Sequence, residues 1–172
     1  MTPATTLEDA VEPRLREDPF ELLPEIREVT GALVKATTNG SVPSTTIGLI
    51  YLRAGQIVGN TYQTIRHSVD LRQAGESEER IASVAAWWDA PYFTDAERAA
   101  LALTEAVFQP NARGEERVPD DLFAEVSKHY DERALATLVT ILGSAGYWMN
   151  VALIVAKDLL EPAPSSREAR SA

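Results

Sequence analysis

The chain contains no cysteine among its 172 residues. Disulfides, thiolate metal sites and thiol redox chemistry are therefore excluded together. Histidine is scarce: there are two, His67 and His129, far apart and in no His-x-x-x-His or Glu-x-x-His pairing. A histidine-based metal centre is accordingly not expected. Basic residues are outnumbered, 16 against 26 acidic, for a formal net charge of -10. Nucleic-acid binding needs a basic surface to displace counterions from phosphate, and an anionic membrane attracts the same sign. Neither partner is expected. No glycine-rich phosphate loop and no Gly-x-Ser-x-Gly nucleophile elbow occur. No apolar run is read as reaching the ~20 residues of a membrane span. The start, Met1 to Ala10, has neither a basic cluster nor an apolar signal core. A cytoplasmic location is expected.

What is present is an ordinary globular balance, 45% hydrophobic and 24% charged. At this length one domain buries about 70% of the surface of its unfolded chain. Composition divides the sequence into an N-terminal arm over 1–17, a helical domain over 18–161 and a loose tail over 162–172, set off by Pro162 and Pro164.

Helical spacing dominates the middle. Pro24 opens a helix with Ile26, Val29 and Leu33 on one face, stopped by Asn39 and Gly40. A second starts after Pro43 and Ser44, with Ile47, Ile50, Ala54, Ile57 and Val58 apolar and Arg53 and Gln56 polar. Gly59 separates it from a third, which runs to Ala74 and stops at Gly75. Ser77 caps a fourth, with Ile81, Val84, Ala85 and Trp88 as its face and Pro91 as its close. Thr94 and Glu97 form a capping box for a helix to about Gln109. A polar loop from Asn111 to Arg117 leads to a short helix after Pro119 carrying Leu122, Phe123 and Val126. Asp131 caps the longest segment, to about Leu160. Its apolar positions Leu135, Leu138, Val139, Leu142, Met149 and Leu153 predict the central, most buried helix. No alternating run with hairpin punctuation occurs. The predicted fold is all-α, about six to eight helices with no substantial sheet.

The third helix carries the candidate site. Asn60, Gln63, Thr64 and His67 follow helical spacing and share one face. On the other side Tyr62, Ile65 and Val69 are the residues expected in the core. Asp70 lies one turn beyond His67, placed to orient its imidazole or raise its basicity. Tyr51, Arg53 and Gln56 on the preceding helix are candidate neighbours, and Trp148, with Tyr147 and Asn150, candidate lining from the last. Each has a plainer reading beside it. His67 suits a core histidine bonded to a carbonyl, Asn60 a helix N-cap, and Arg53 a structural ion pair. Gln63 and Thr64 suit a subunit contact, and His129 a helix C-terminus. Trp87 and Trp88 suit packing.

Several blocks together resemble the carboxymuconolactone decarboxylase and alkylhydroperoxidase D-like superfamily. They are Tyr51 to Gly59, the stripe ending at His67, Leu71 to Ser77, Ala85 to Leu101, Val118 to Asp120 and Tyr147 to Asn150. The resemblance covers roughly residues 18 to 160. It implies an all-helical fold assembled as trimers or hexamers, or as a dimer, with the site close to subunit interfaces. In the peroxidase branch a Cys-x-x-Cys opens the third helix, a His follows, and a Glu stands on the preceding helix. Here Asn60 and Gln63 occupy the cysteine positions, Gly48 that of the Glu, and only His67 remains. Peroxide reduction in that branch needs a thiolate nucleophile and a resolving thiol, and an amide supplies neither.

A dithiol peroxidase is thereby excluded. Two functions remain. The first is a non-redox, cofactor-independent acid–base enzyme acting on a small organic acid, lactone or natural-product intermediate. In it His67, Tyr51 and Asp70 do the proton transfer, and Asn60, Gln63, Thr64, Gln56, Arg53 and Trp148 bind the substrate. The reaction would be isomerisation, cyclisation, ring opening or decarboxylation. The second is a catalytically silent oligomeric binding or assembly protein whose polar stripe is closed by its own hydrogen bonds.

Overall fold

The computed structural model describes Glu17, residues 19–109 and residues 116–155; among these the chain is helical, with no strand. The helices in order are α1 (Pro19–Leu22), α2 (Glu25–Thr37), α3 (Ser44–Val58), α4 (Thr61–Gln73), α5 (Glu78–Ser83), α6 (Asp95–Phe108), α7 (Asp120–Ser127) and α8 (Glu132–Val155). A 3-10 turn, Val84–Ala86, follows α5. The all-α expectation holds. The arm, most of the loop after α6, the continuation towards Leu160 and the tail lie outside the described residues.

Local chemistry sets the boundaries. Gly59 ends α3 at φ 70 and Gly75 follows α4 at φ 93, left-handed values that favour a residue without Cβ. Asn60 caps α4 by accepting from the Gln63 amide, and Ser77 caps α5 by accepting from that of Arg80. Thr94 and Glu97 close their capping box in both directions on α6. At α8 the Asp131 carboxylate accepts from the Ala134 amide at 2.8 Å.

The expectation that the last helix is central is corrected. The hub is α3, which packs against α4, α6, α8 and the 3-10 turn. It separates two cores. Ile50 joins Leu103, Val126, Leu138 and Ile141 on one side, while Leu49 and Leu52 join Leu71, Ile81, Val84 and Leu101 on the other. α8 buries Leu138, Ile141, Leu142 and Met149 but leaves Val139 and Ile154 each 62% exposed. Its apolar pattern is broader than the face it buries. Read by length and composition alone, Glu132–Ile154 is long and apolar enough to cross a membrane, which corrects the sequence expectation of no such run. Here one face of that helix lies against α2, α3 and α6.

The fourth predicted helix also breaks early. Ile81 and Val84 are buried, but Ala85 and Trp88 face solvent. The carbonyls of Trp87, Trp88, Ala90 and Phe93 are taken by the Arg98 guanidinium from α6, which holds this segment in a loop. A cation on a neighbouring helix has replaced helical hydrogen bonds as the carbonyls' partner.

The α3–α4 crossing is close because α3 presents glycine. A Cβ on Gly55 would stand 3.1 Å from Thr64 Oγ1 and 3.2 Å from the Thr64 backbone nitrogen; one on Gly48 would meet Leu71 Cδ2 at 2.8 Å. Gly31, on the exposed side of α2, has nothing within 4 Å of its would-be Cβ. Opposite outcomes follow for the two kinds of glycine. Gly55→Val is expected to cost about 2 kcal/mol or more by overpacking. Gly31→Ala is expected to add about 0.5–1 kcal/mol from helix propensity. Urea denaturation midpoints of both variants against the parent chain check this; a Gly55→Val midpoint equal to the parent's would remove the close-crossing argument.

Candidate active site

The polar stripe of α4 points inward. Asn60 and Gln63 are 3% and 6% exposed, and Thr64 and His67 are half-buried. The side expected in the core is corrected: Ile65 and Val69 are 41% and 37% exposed. The glycine-mediated approach of α3 fixes which face is covered, overriding the apolar preference of the isolated helix.

Each stripe residue is held by a specific partner. Asn60 uses its side-chain oxygen as the α4 cap and donates from Nδ2 to the Met149 carbonyl of α8 at 3.3 Å. Thr64 donates to the Asn60 carbonyl at 2.9 Å. Gln63 Oε1 lies 3.0 Å from His67 Nε2. An amide oxygen accepts, so Nε2 carries the proton and Nδ1 keeps the lone pair. The Tyr51 ring stacks on the imidazole, centroids 4.7 Å apart at 24°. The Tyr51 hydroxyl sits 2.6 Å from Ser144 Oγ, and Ser144 spends its proton on the Ile141 carbonyl at 2.9 Å. Tyr51 is therefore the donor to Ser144, and α3, α4 and α8 are tied through one ring.

Burial sets the electrostatics. It pulls His67 down to about 4, with the Arg66 charge adding to the effect. Tyr51 is raised by burial, partly offset by its Ser144 hydrogen bond. The expectation that Asp70 raises the basicity of His67 is reversed. Asp70 Oδ2 is 3.6 Å from Nδ1, but its side chain is 53% exposed and is shared with Arg66 at 3.9 Å. Water and Arg66 screen that carboxylate, while the imidazole pays its own desolvation. His67 is neutral at pH 7.

The remaining candidates fall outside this cluster. Arg53 is buried and gives Nε and Nη2 to Glu105 Oε1 at 2.9 and 2.5 Å, with Gln56 Oε1 3.4 Å from Nη1. Trp87 Nε1 donates to the same Glu105 oxygen at 2.8 Å, and Trp88 lies over the guanidinium at 5.8 Å. The structural ion pair is thus the reading the geometry supports for Arg53. Trp148 stacks on Phe20 of α1 at 6.3 Å with Tyr147 edge-on at 4.9 Å, and Asn150 bonds the Gly146 carbonyl. His129 stands just past α7 with Nε2 3.5 Å from Glu125 Oε1. Sequence reasoning passed over Glu105 and Ser144. Glu105 carried a signal, a carboxylate beside buried Leu101, Leu103 and Thr104; Ser144, in an uncharged run, carried none. Among the described residues no group of three or more His, Asp or Glu is placed to hold a metal ion.

This geometry defines a helical protein with a cysteine-free polar site in the place where the peroxidase branch is expected to carry its dithiol. Residues 22–106 match the carboxymuconolactone decarboxylase family. The chain is also 32% identical over 134 residues to the uncharacterized protein YdfG of Bacillus subtilis (strain 168), covering 78% of this chain and 89% of that one. It belongs to the carboxymuconolactone decarboxylase family. Among solved structures it resembles ATU0492 of Agrobacterium tumefaciens, a protein of unknown function linked by its description to AhpD antioxidant defence. That likeness has TM-score 0.73, 26% identity, and covers 86% of this chain and 98% of the other. It also resembles a debrominase, Bmp8, solved alone and, as a cysteine-to-alanine variant, with 2,3,4-tribromopyrrole. Those two have TM-score 0.69 and 17% identity, covering 80% of this chain and 72% of theirs, a likeness of fold.

The depressed His67 value has a consequence for stability. The unfolded histidine titrates near 6.5 and the folded one near 4, so between these values the unfolded chain binds more protons. The stabilisation from neutral His67 is complete above about pH 6.5 and is lost as pH falls towards 4, up to about 3 kcal/mol. His67→Gln is expected to remove that part of the slope. Denaturation midpoints of parent and variant between pH 7 and pH 4 check it; identical slopes would contradict the buried neutral imidazole.

Proposed function

We propose that the protein is a non-redox, cofactor-independent enzyme acting on a small organic acid, lactone or natural-product intermediate, with neutral His67 as its base. The observation that carries this reading is the imidazole itself. Its Nε2 proton is fixed on Gln63, its Nδ1 lone pair faces the exposed Asp70, and its side chain remains 15% exposed. Asn60, Gln63, Thr64, Tyr51 and Arg53 are each committed to a protein partner, so Nδ1 is the group in the cluster with unspent capacity. With its conjugate acid titrating near 4, the imidazole is a weak base that is fully unprotonated at pH 7, so it requires a strongly activated carbon acid such as that of a β-keto acid. Nδ1 takes that proton, the C–H electron pair moves to the carbonyl oxygen as an enolate, and Arg66 supplies positive charge nearby. Asp70 Oδ2, 3.6 Å from Nδ1, then faces the protonated nitrogen and orients the ring. The proton returns at a different carbon or face in isomerisation or ring chemistry. Asp70 thus serves to orient the imidazole, while Tyr51 holds the ring plane. Family membership and the fold shared with a debrominase support an enzymatic, non-peroxidase use of this scaffold.

The test is proton exchange in deuterium oxide over a panel of lactones and β-keto acids. The parent chain is expected to exchange one position, His67→Ala to lose at least a hundredfold, and the acid limb of the profile to lie near pH 4. Undiminished exchange in His67→Ala sinks this mechanism.

A second reading is favoured by the same closure: a silent binding or assembly protein whose stripe is sealed by its own hydrogen bonds, Asn60 to Met149 and Gln63 to His67. It gives no exchange with any compound and no ligand-induced shift of the His67 ring signals.

Under either reading we propose a homo-oligomer. The support is the uncharged outer side of α8, with Val139, Tyr147 and Ile154 at 62%, 37% and 62% exposure, an apolar surface that a second copy would cover. Val139→Asp is expected to lower the mass seen by sedimentation equilibrium to that of one chain, 18.8 kDa. An unchanged mass would place the contact elsewhere.

A further inference from the structure

Beside the His67 imidazole stands a cation whose binding edge is open. Arg66 gives Nη1 to the Tyr62 hydroxyl at 3.1 Å, one turn back on α4, which holds the guanidinium in place. Its Nε is 3.9 Å from Asp70 Oδ2, beyond hydrogen-bond length, and among the described residues Nη2 has no hydrogen-bond partner. Other arginines of this chain do close that edge. Arg72, on the same helix, gives Nε and Nη2 to the Glu78 carboxylate, and Arg53 gives the same two nitrogens to Glu105. A planar guanidinium fork suits a carboxylate in this way.

Asp70 is the protein group placed to close the edge of Arg66, and it does not. Oδ2 lies 3.6 Å from His67 Nδ1 and 3.9 Å from Arg66 Nε, on a side chain that is 53% exposed. An unprotonated Nδ1 offers it no hydrogen, so little holds it there. Its position is informative all the same: one carboxylate oxygen fits between the base and the guanidinium. A ligand carboxylate on Arg66 would therefore set the carbon next to it at the imidazole edge.

We propose that Arg66 anchors the substrate's carboxylate, which makes the substrate a β-keto acid bound as its anion in preference to an ester or a lactone. This rests on His67 being the base. The carboxylate sits on Nε and Nη2, and the carbon between it and the ketone gives its proton to Nδ1. The C–H electron pair moves to the ketone oxygen, no bond to the carboxylate breaks, and the proton later returns to carbon. Deprotonation beside a carboxylate places one negative charge next to another, which a weak base cannot overcome unaided. The guanidinium offsets that charge and so acidifies the carbon. An ester or lactone carries no charge for Arg66 to pair. Asp70 competes for the same edge and, as an anion beside an anion, lowers the affinity.

The experiment titrates the full chain with acetoacetate and with methyl acetoacetate, following the His67 ring and Arg66 Nε–H signals by NMR, and measures exchange at the carbon between the carbonyls in deuterium oxide. Acetoacetate is expected to bind the parent more tightly than its ester. Arg66→Met is expected to weaken acetoacetate about tenfold or more, as loss of a charged hydrogen bond implies, and to leave the ester unchanged. Arg66→Lys, which keeps the charge and loses the fork, is expected to fall between. Asp70→Asn is expected to tighten acetoacetate alone. Removing Arg66 also makes His67 a stronger base, but acid and ester meet the same base, so their ratio isolates the anchor. Equal affinity of acid and ester in the parent, or acetoacetate binding that Arg66→Met leaves intact, would overturn the anchor. Arg66-dependent binding with no exchange above the buffer rate would uphold the anchor and remove His67 as the base. Exchange indifferent to Arg66 would keep the base and remove the anchor.

Discussion

The arrangement depends on the close approach of α3 and α4 across Gly55 and Gly48. Without a Cβ at Gly55 the Thr64 backbone comes within 3.2 Å of where that atom would stand. Contact this tight leaves α4 little freedom to rotate about its axis. The Asn60 cap and its bond to the Met149 carbonyl then fix the start of the helix to α8. The polar face is consequently turned in and Ile65 and Val69 out, the reverse of an isolated amphipathic helix. The free energy of helix packing has overruled local hydropathy here because a backbone-to-backbone approach is available on one side only.

An inward polar face must be satisfied group by group, since a buried donor or acceptor left alone costs ~1–3 kcal/mol. The structure does this with short chains of partners: Tyr51 to Ser144 to Ile141, Gln63 to His67, Thr64 to Asn60. The same logic governs the buried charges. Arg53 and Trp87 converge on Glu105, Arg80 on Glu97, and Arg98 on four loop carbonyls. In a chain with 16 basic residues against 26 acidic, three of the arginines are spent as internal fasteners. The net negative charge is carried by the surface.

Membership of the carboxymuconolactone decarboxylase family places this site in a chemical context that the residues themselves narrow. With amides at Asn60 and Gln63 the site holds hydrogen bonds where the peroxidase branch is expected to hold sulfur. The amides do two jobs: one caps a helix and one sets a tautomer. What is left open is an imidazole edge, uncharged because burial and Arg66 make its protonation costly.

Much of the fold was legible in the chain. Gly59, Gly75, Asn60, Ser77 and the Thr94–Glu97 box act through their own backbone neighbours, so sequence alone placed the starts and stops of the helices. The absence of cysteine likewise excluded thiol chemistry before any coordinate was known, because reactivity of that kind belongs to the atom and not to its surroundings. Sequence also grouped Asn60, Gln63, Thr64 and His67, since helical periodicity puts them on one face. It did not decide which way that face points, that α3 and not α8 is the hub, that Trp88 turns out while Trp87 turns in, or that Arg53 belongs to Glu105. Those outcomes rest on contacts between residues tens of positions apart. The basicity of His67 is of the same kind: its neighbour in sequence, Asp70, argued for a raised value, and burial by distant helices produced a lowered one. Local rules determined the elements and the list of polar candidates; tertiary packing alone decided their partners, their charge states and the one imidazole nitrogen left open.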